Sequence, residues 1–140
     1  MTKKVLGFSA LAILALAFTL GLTTCSTADD TYTLSGTLIM STTSYAPDGC
    51  YAYGMLVSGP GGSVNSTPLY IAKSTAFSSG VATYSIPDIK KGTYTAYVYI
   101  DKNNSGGSLP DYGEKYAYDD ISISSDRTMN VGTSDWSTYY

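Results

Sequence analysis

The chain of 140 residues contains no histidine. Histidine is the usual general base beside a serine or cysteine nucleophile, and it is the most common zinc ligand. Its absence excludes Ser-His-Asp and Cys-His catalysis and the usual His-ligated zinc site. The neighbouring carboxylates Asp119 and Asp120 would point to opposite faces of a strand and could not act as an acid/base pair. We therefore expect a protein that is not an enzyme.

Charge is also scarce, at 14% of residues, with eight basic residues against eleven acidic ones. The basic residues form no cluster within the sequence after the N-terminal Lys3 and Lys4. Nucleic acids bind through many Lys and Arg contacts to phosphate, which an acidic chain of this kind lacks. We expect no nucleic acid partner.

The N-terminus has the layout of a bacterial secretory signal. Lys3 and Lys4 precede an apolar run from Val5 to Leu22. The following Leu-Thr-Thr-Cys, ending at Cys25, resembles a lipobox, although Thr24 departs from the Gly, Ala or Ser usual at that position. We predict a helical lipoprotein signal peptide over residues 1–24, lipidation of Cys25 and a polar tether over residues 25–31.

This interpretation locates the protein in the bacterial cell envelope, held to a membrane through a lipid anchor. Ser26 after the cysteine favours the outer membrane over the inner one. Two alternatives remain: cleavage after Ala28, which would release a soluble secreted protein, and retention of the apolar helix as an anchor. If Cys25 is lipidated or removed, Cys50 has no disulfide partner, and we expect it to be a buried small apolar residue.

Beyond the tether, apolar and polar residues alternate with a period of two, which is typical of β-strands. The seven predicted strands cover residues 32–40, 50–58, 69–73, 81–86, the run that ends at 101, 121–123 and 128–131. We predict an all-β domain over residues 32–140, a single seven-stranded immunoglobulin-like sandwich. The aromatic tail from Asp135 to Tyr140 is an extra edge strand, a frayed end or a docking peptide.

The stretch from Tyr84 to Asp101 contains two of these runs around Pro87 and Gly92. In the second run Tyr94, Ala96, Val98 and Ile100 share one face, while Thr93, Thr95, Tyr97 and Tyr99 share the other. Because proline cannot donate to a strand ladder and glycine tolerates unusual dihedral angles, we predict that the two runs form a hairpin.

The motif apolar-Pro-x-apolar-x-x-Gly-Thr-Tyr-Thr, from Ile86 to Thr95, resembles transthyretin-like domains, also called carboxypeptidase regulatory-like or prealbumin-like domains. The resemblance covers roughly Tyr32 to Val131 and implies a β-sandwich. The enzymatic branch of these domains hydrolyses a purine-derived lactam with histidines that are absent here. The resemblance therefore implies the fold and not that activity.

A loop after the second run has the spacing of a calcium site. Asp101, Asn103 and Ser105 supply oxygen atoms at positions 1, 3 and 5, and glycine follows at position 6. Asp111 and Glu114 resemble the acidic end of such loops but lie two residues too far along. We predict weak calcium binding by these five residues, with a plain polar loop as the alternative.

The fourteen tyrosines are the second unusual feature of the composition. Tyr97 and Tyr99 lie opposite the predicted core face, where aromatic rings suit binding of a glycan or an envelope protein. The alternative is that tyrosine fills core positions in place of phenylalanine. The sequence thus predicts a lipid-anchored envelope β-sandwich that acts as a non-catalytic binding or structural module. The alternative function is an accessory subunit that docks through exposed tyrosines or the C-terminal tail.

Overall fold

A computed structural model of the protein describes residues 29–107 and 109–140. The predicted signal peptide and Cys25 lie outside the described residues. The described part contains eight strands: β1 (Thr31–Ile39), β2 (Tyr51–Ser58), β3 (Tyr70–Lys73), β4 (Val81–Lys90), β5 (Gly92–Asp101), β6 (Lys115–Ile123), β7 (Arg127–Thr128) and β8 (Ser137–Thr138). Its helical content is a single 3-10 turn over Thr133–Asp135. The prediction of an all-β structure is confirmed.

The strands form two sheets that pack face to face. The smaller sheet has the order β4-β1-β7, and the larger one has the order β3-β2-β5-β6-β8. Neighbouring strands are antiparallel except for β1 and β7, which are parallel. The arrangement is sandwich-like, with eight strands divided three and five where the sequence predicted seven.

The main core lies between the two sheets and follows from the period-two alternation. Leu34 and Leu38 of β1 are buried against residues of the larger sheet such as Val98 and Ile100 of β5, and all four are at most 1% exposed. Tyr84 of β4 lies in the same core and donates its hydroxyl to the carbonyl of Met129 at 2.9 Å. The face assignment predicted for β5 is correct, because Tyr94, Ala96, Val98 and Ile100 all belong to this core.

The predicted hairpin between the fourth and fifth strands is wrong. β4 pairs with β1 in the smaller sheet, whereas β5 pairs with β2 and β6 in the larger one. Both edges of β5 are therefore occupied, and no edge remains for β4. The chain crosses between the sheets at Lys91, and β4 continues past Pro87, which lies in an irregularity of the β1–β4 pairing.

The C-terminal tail is an edge strand, one of the three alternatives left by the sequence. β8 pairs with Lys115 and Tyr116 at the start of β6. The indole nitrogen of Trp136 donates to the carbonyl of Ile39 at 2.9 Å, which ties the tail to the smaller sheet. Within the described residues, no helix has the length and apolar character needed to cross a membrane.

Candidate functional site

The outer face of the larger sheet carries six tyrosines at cross-strand positions, which we call the tyrosine layer. Its members are Tyr51 and Tyr53 of β2, Tyr97 and Tyr99 of β5, and Tyr116 and Tyr118 of β6. Tyr53 stacks on Tyr99 with ring centroids 5.5 Å apart, and Tyr97 stacks on Tyr118 at the same separation. Cross-strand aromatic pairs of this kind stabilise a sheet.

Tyr97 and Tyr99 lie on the predicted face but are only 7% and 1% exposed. The Tyr97 hydroxyl donates to the carbonyl of Gly62 at 2.7 Å, and the Tyr99 hydroxyl donates to the carbonyl of Gly107. Burial raises the pKa of both phenols. Two loops thus cover these rings. Tyr97 and Tyr99 form a second, smaller core together with Met55 and Val57. The structure gives the two rings a packing role, while ligand binding by them stays a prediction.

The most exposed member of the tyrosine layer is Tyr118 of β6. Tyr118 is 60% exposed, and it lines a cleft of about 410 Å³ between β6, β5 and the loop 61–64. Tyr97, Tyr116 and Asp120 line the same cleft. A volume of this size falls in the range of small-molecule sites, about 300–1,000 Å³.

Asp120 is an exposed residue of the cleft lining whose carboxylate is oriented by hydrogen bonds. Its Oδ1 accepts a hydrogen bond from the Thr95 hydroxyl at 2.6 Å and one from the backbone N–H of Gly61 at 3.1 Å. The Thr95 hydroxyl oxygen also accepts the N–H of Gly62 at 2.9 Å. The bonds from Thr95 and Gly61 hold the pKa of the Asp120 carboxyl below its usual value. The cleft therefore contains an ionised, oriented carboxylate beside aromatic rings.

The sequence analysis did not identify Tyr118, Asp120 or the loop 61–64 as parts of a site. One signal was available, because Tyr116 and Tyr118 alternate on β6 as Tyr97 and Tyr99 do on β5. No pattern in the sequence indicated that the loop 61–64 lies against Tyr97, because Gly62 is 35 residues from Tyr97 in the chain.

The five residues predicted to bind calcium are brought together by the loop that follows β5. Asp101, at the end of β5, is 2% exposed. Its Oδ1 accepts the N–H of Ser105 at 2.9 Å, and its Oδ2 accepts the N–H of Gly106 at 3.0 Å. The Asn103 side-chain oxygen accepts the same Ser105 N–H at 3.0 Å. The predicted 1-3-5 coiling of the loop is present.

The far end of the loop closes onto the same place. Asp111 Oδ2 accepts hydrogen bonds from the Ser105 hydroxyl at 3.0 Å and from the Asn103 amide at 3.2 Å. Glu114, 6% exposed, accepts the N–H of Lys102 at 2.9 Å and the N–H of Asp111 at 2.8 Å. The loop is two residues longer than the usual calcium loop. Asp111 nevertheless reaches Asn103 and Ser105, and Glu114 reaches Lys102, next to Asp101.

Glu114 lies close to two other carboxylates of this loop. Burial raises the pKa of Glu114, and the charges of Asp101 and Asp111 add to that effect. Each carboxylate oxygen has two lone pairs, so those that accept an N–H keep capacity for a metal ion. Within residues 29–107 and 109–140, no group of three or more His, Cys, Asp or Glu side chains is close enough to hold a metal ion alone. A bound ion would therefore also need the oxygens of Asn103 and Ser105, or water.

Cys50 has the structural role that the sequence predicted. It is 2% exposed and belongs to the main core. Burial raises the pKa of its thiol to about 11, with further contributions from the charges of Asp101 and Glu114. Because the thiolate is the nucleophilic form, this cysteine is inert at neutral pH.

No protein-family model matches this chain, and no curated protein is similar to it in sequence.

Proposed function

We propose that this protein is a lipid-anchored β-sandwich of the bacterial cell envelope and acts as a non-catalytic binding or structural module. The observation that carries this proposal is the cleft beside Tyr118 and Asp120. It combines an accessible aromatic ring with a carboxylate that the fold holds in place. Rigid aromatic area next to a few oriented polar groups is typical of binding sites.

The proposal also assigns the domain to the transthyretin-like class. The motif from Ile86 to Thr95 supports this assignment, together with the packing of two sheets around one core. The motif covers the crossing from β4 to β5: its glycine, Gly92, begins β5 directly after the crossing, and its proline, Pro87, lies within β4. Such a crossing between sheets is a feature of sandwich topologies.

Lipidation of Cys25 is the first test of the proposal. Mass spectrometry of the N-terminus of the mature protein should find a diacylated or triacylated Cys25, because Lys3, Lys4 and the apolar run lead into a lipobox-like sequence. Cys25→Ala should abolish the acylation and block processing of the signal peptide. Cys50→Ala is the matched control and should leave both unchanged. An unmodified N-terminus at Asp29 would contradict the proposal.

A second candidate function is that of an accessory subunit in an envelope assembly. Tyr112 and Tyr140 are 80% and 82% exposed and contact each other edge to face, with centroids 5.8 Å apart. Exposed aromatic residues of this kind are enriched at protein interfaces. This function would be favoured over that of a small-molecule module if one defined envelope protein is recovered with the wild-type chain but not with the Tyr112→Ala variant.

We further propose that the loop from Asp101 to Glu114 binds calcium weakly, with a Kd of about 10⁻⁴–10⁻³ M. At millimolar calcium such binding stabilises the folded state by ~1–2 kcal/mol. Thermal melts in calcium should therefore give a Tm about 4–8 °C higher than melts in chelator. Asp101→Asn should remove the difference, because Asp101 supplies the buried first ligand.

Asp119→Asn is the matched control for the calcium experiment. Asp119 is an exposed residue of β6 outside the loop, so its variant should keep the full response to calcium. Equal melting temperatures in calcium and in chelator for the wild-type chain would show that the carboxylates serve only to hold the loop through backbone N–H groups.

A further inference from the structure

We infer that the cleft formed by Tyr118, Tyr116, Asp120 and the loop 61–64 binds a pyranose ring of a neutral oligosaccharide. The inference rests on the proposed function as a binding module and adds the chemical class of the ligand. It is carried by three properties of the cleft: a stack of rings with one accessible member, an oriented carboxylate, and a lining without basic residues.

The aromatic rings of the cleft are held in position before a ligand binds. Tyr118 stacks on Tyr97 with centroids 5.5 Å apart and planes inclined by 28°, and on Tyr116 at 6.2 Å and 14°. Tyr97 is fixed in turn by its hydrogen bond to Gly62. The exposed Tyr118 ring is thus supported by its neighbours and loses little freedom on binding. The C–H groups on one face of a pyranose carry partial positive charge and suit the negative face of such a ring.

The polar part of the cleft suits hydroxyl groups. Asp120 uses Oδ1 for Thr95 and Gly61, and no group among the described residues donates to its Oδ2. A carboxylate oxygen accepts hydrogen bonds strongly from a hydroxyl donor. The hydroxyls of Ser63, Tyr116 and Tyr118 can each donate and accept. A sugar, whose hydroxyls also donate and accept, matches this mixture.

Other ligand classes match less well. An acidic sugar or phosphate would meet the Asp120 charge with no Lys or Arg in the lining to offset it. A quaternary ammonium ion is usually enclosed by several ring faces, whereas here Tyr118 stacks on both Tyr97 and Tyr116 and no three faces point at one common centre. A purely apolar ligand would offer no hydrogen-bond donor to the Oδ2 atom of Asp120. A neutral sugar satisfies each of these constraints.

The test is a titration of the full chain, solubilised in detergent, with uncharged hexasaccharides. The probes are β-1,4-linked glucose, β-1,4-linked N-acetylglucosamine and α-1,4-linked glucose, followed by calorimetry. At least one should bind saturably, and Tyr118→Ala should weaken its binding by about tenfold or more. Tyr118 is a surface residue, so its removal leaves the core intact. Tyr45→Ala is the matched control and should bind as the wild type does, because Tyr45 is 39% exposed and does not line the cleft.

Three results would overturn the inference: no binding of any hexasaccharide, equal binding by Tyr118→Ala and the wild type, or displacement of the bound sugar by choline at equal concentration. The lipid anchor of the proposed function is tested separately, by measuring the acylation of Cys25. An acylated chain that binds no sugar would refute the ligand class and leave the anchored module standing. A chain that binds sugar without acylation would refute the anchor alone.

Discussion

Gly36→Ala should lower the free energy of unfolding by about 3–5 kcal/mol, a large part of the stability of a domain of this size. Gly36 lies in β1 between the buried residues Leu34 and Leu38. A Cβ added there would be 1.9 Å from the carbonyl oxygen of Met129 and 2.8 Å from the Tyr84 ring. The contact with Met129 involves backbone, so no side-chain rotation relieves it.

Relief of this clash requires the segment after β7 to move away from β1. That movement would break the bond from the Met129 N–H to the Ser35 carbonyl, at 2.9 Å, and the bond from the Tyr84 hydroxyl to the Met129 carbonyl, also at 2.9 Å. Denaturant unfolding of a chain without the first 28 residues measures the effect. The near-ultraviolet circular dichroism signal of Tyr84 should also decrease in the variant, because its ring would no longer be fixed in the core.

Gly107→Ala is the matched control for Gly36→Ala. A Cβ at Gly107 meets its nearest atom, the carbonyl oxygen of Leu109, at 3.6 Å, which is an ordinary contact. Its effect should stay within about 0.5 kcal/mol. Similar midpoints for both glycine variants would show that the C-terminal segment does not pack on β1 as described.

Ile100→Ala should lower the free energy of unfolding by about 2–4 kcal/mol. Ile100 is completely buried in the main core, on the central strand of the larger sheet, and pairs with Ala52 of β2. Truncation loses the transfer free energy of the removed carbons and leaves a cavity, because β5 is held on both sides and cannot collapse into the space.

Ile71→Ala is the matched control, since it makes the same chemical change on the edge strand β3. Ile71 is 46% exposed, so its truncation should cost less than about 1 kcal/mol. Chemical denaturation of both variants gives the comparison. A loss of equal size at the two positions would mean that the register or the face assignment of β5 is wrong.

The sequence by itself determined the strands and which residues of each strand share a face. Tyr94, Ala96, Val98 and Ile100 were assigned to one face of their strand from alternation alone, and all four are in the main core. It also indicated that Asp101, Asn103, Ser105, Asp111 and Glu114 would lie close together, and hydrogen bonds link them, because Asp101 to Glu114 is a short local segment that starts at a strand end. Both successes have one physical reason: side-chain direction along a strand and contacts within a short loop depend on neighbours in the chain.

Only the tertiary structure decided how the strands are distributed and what covers the outer face. Pro87 and Gly92 indicate a turn equally well whether β4 and β5 pair in one sheet or lie in two, and the choice depends on which edges β1, β2 and β6 occupy. Tyr97 is buried because the loop around Gly62 folds back over it, 35 residues away in the chain. Coverage by a distant loop depends on packing between separate parts of the chain. The alternation of residues along β5 carries no information about it.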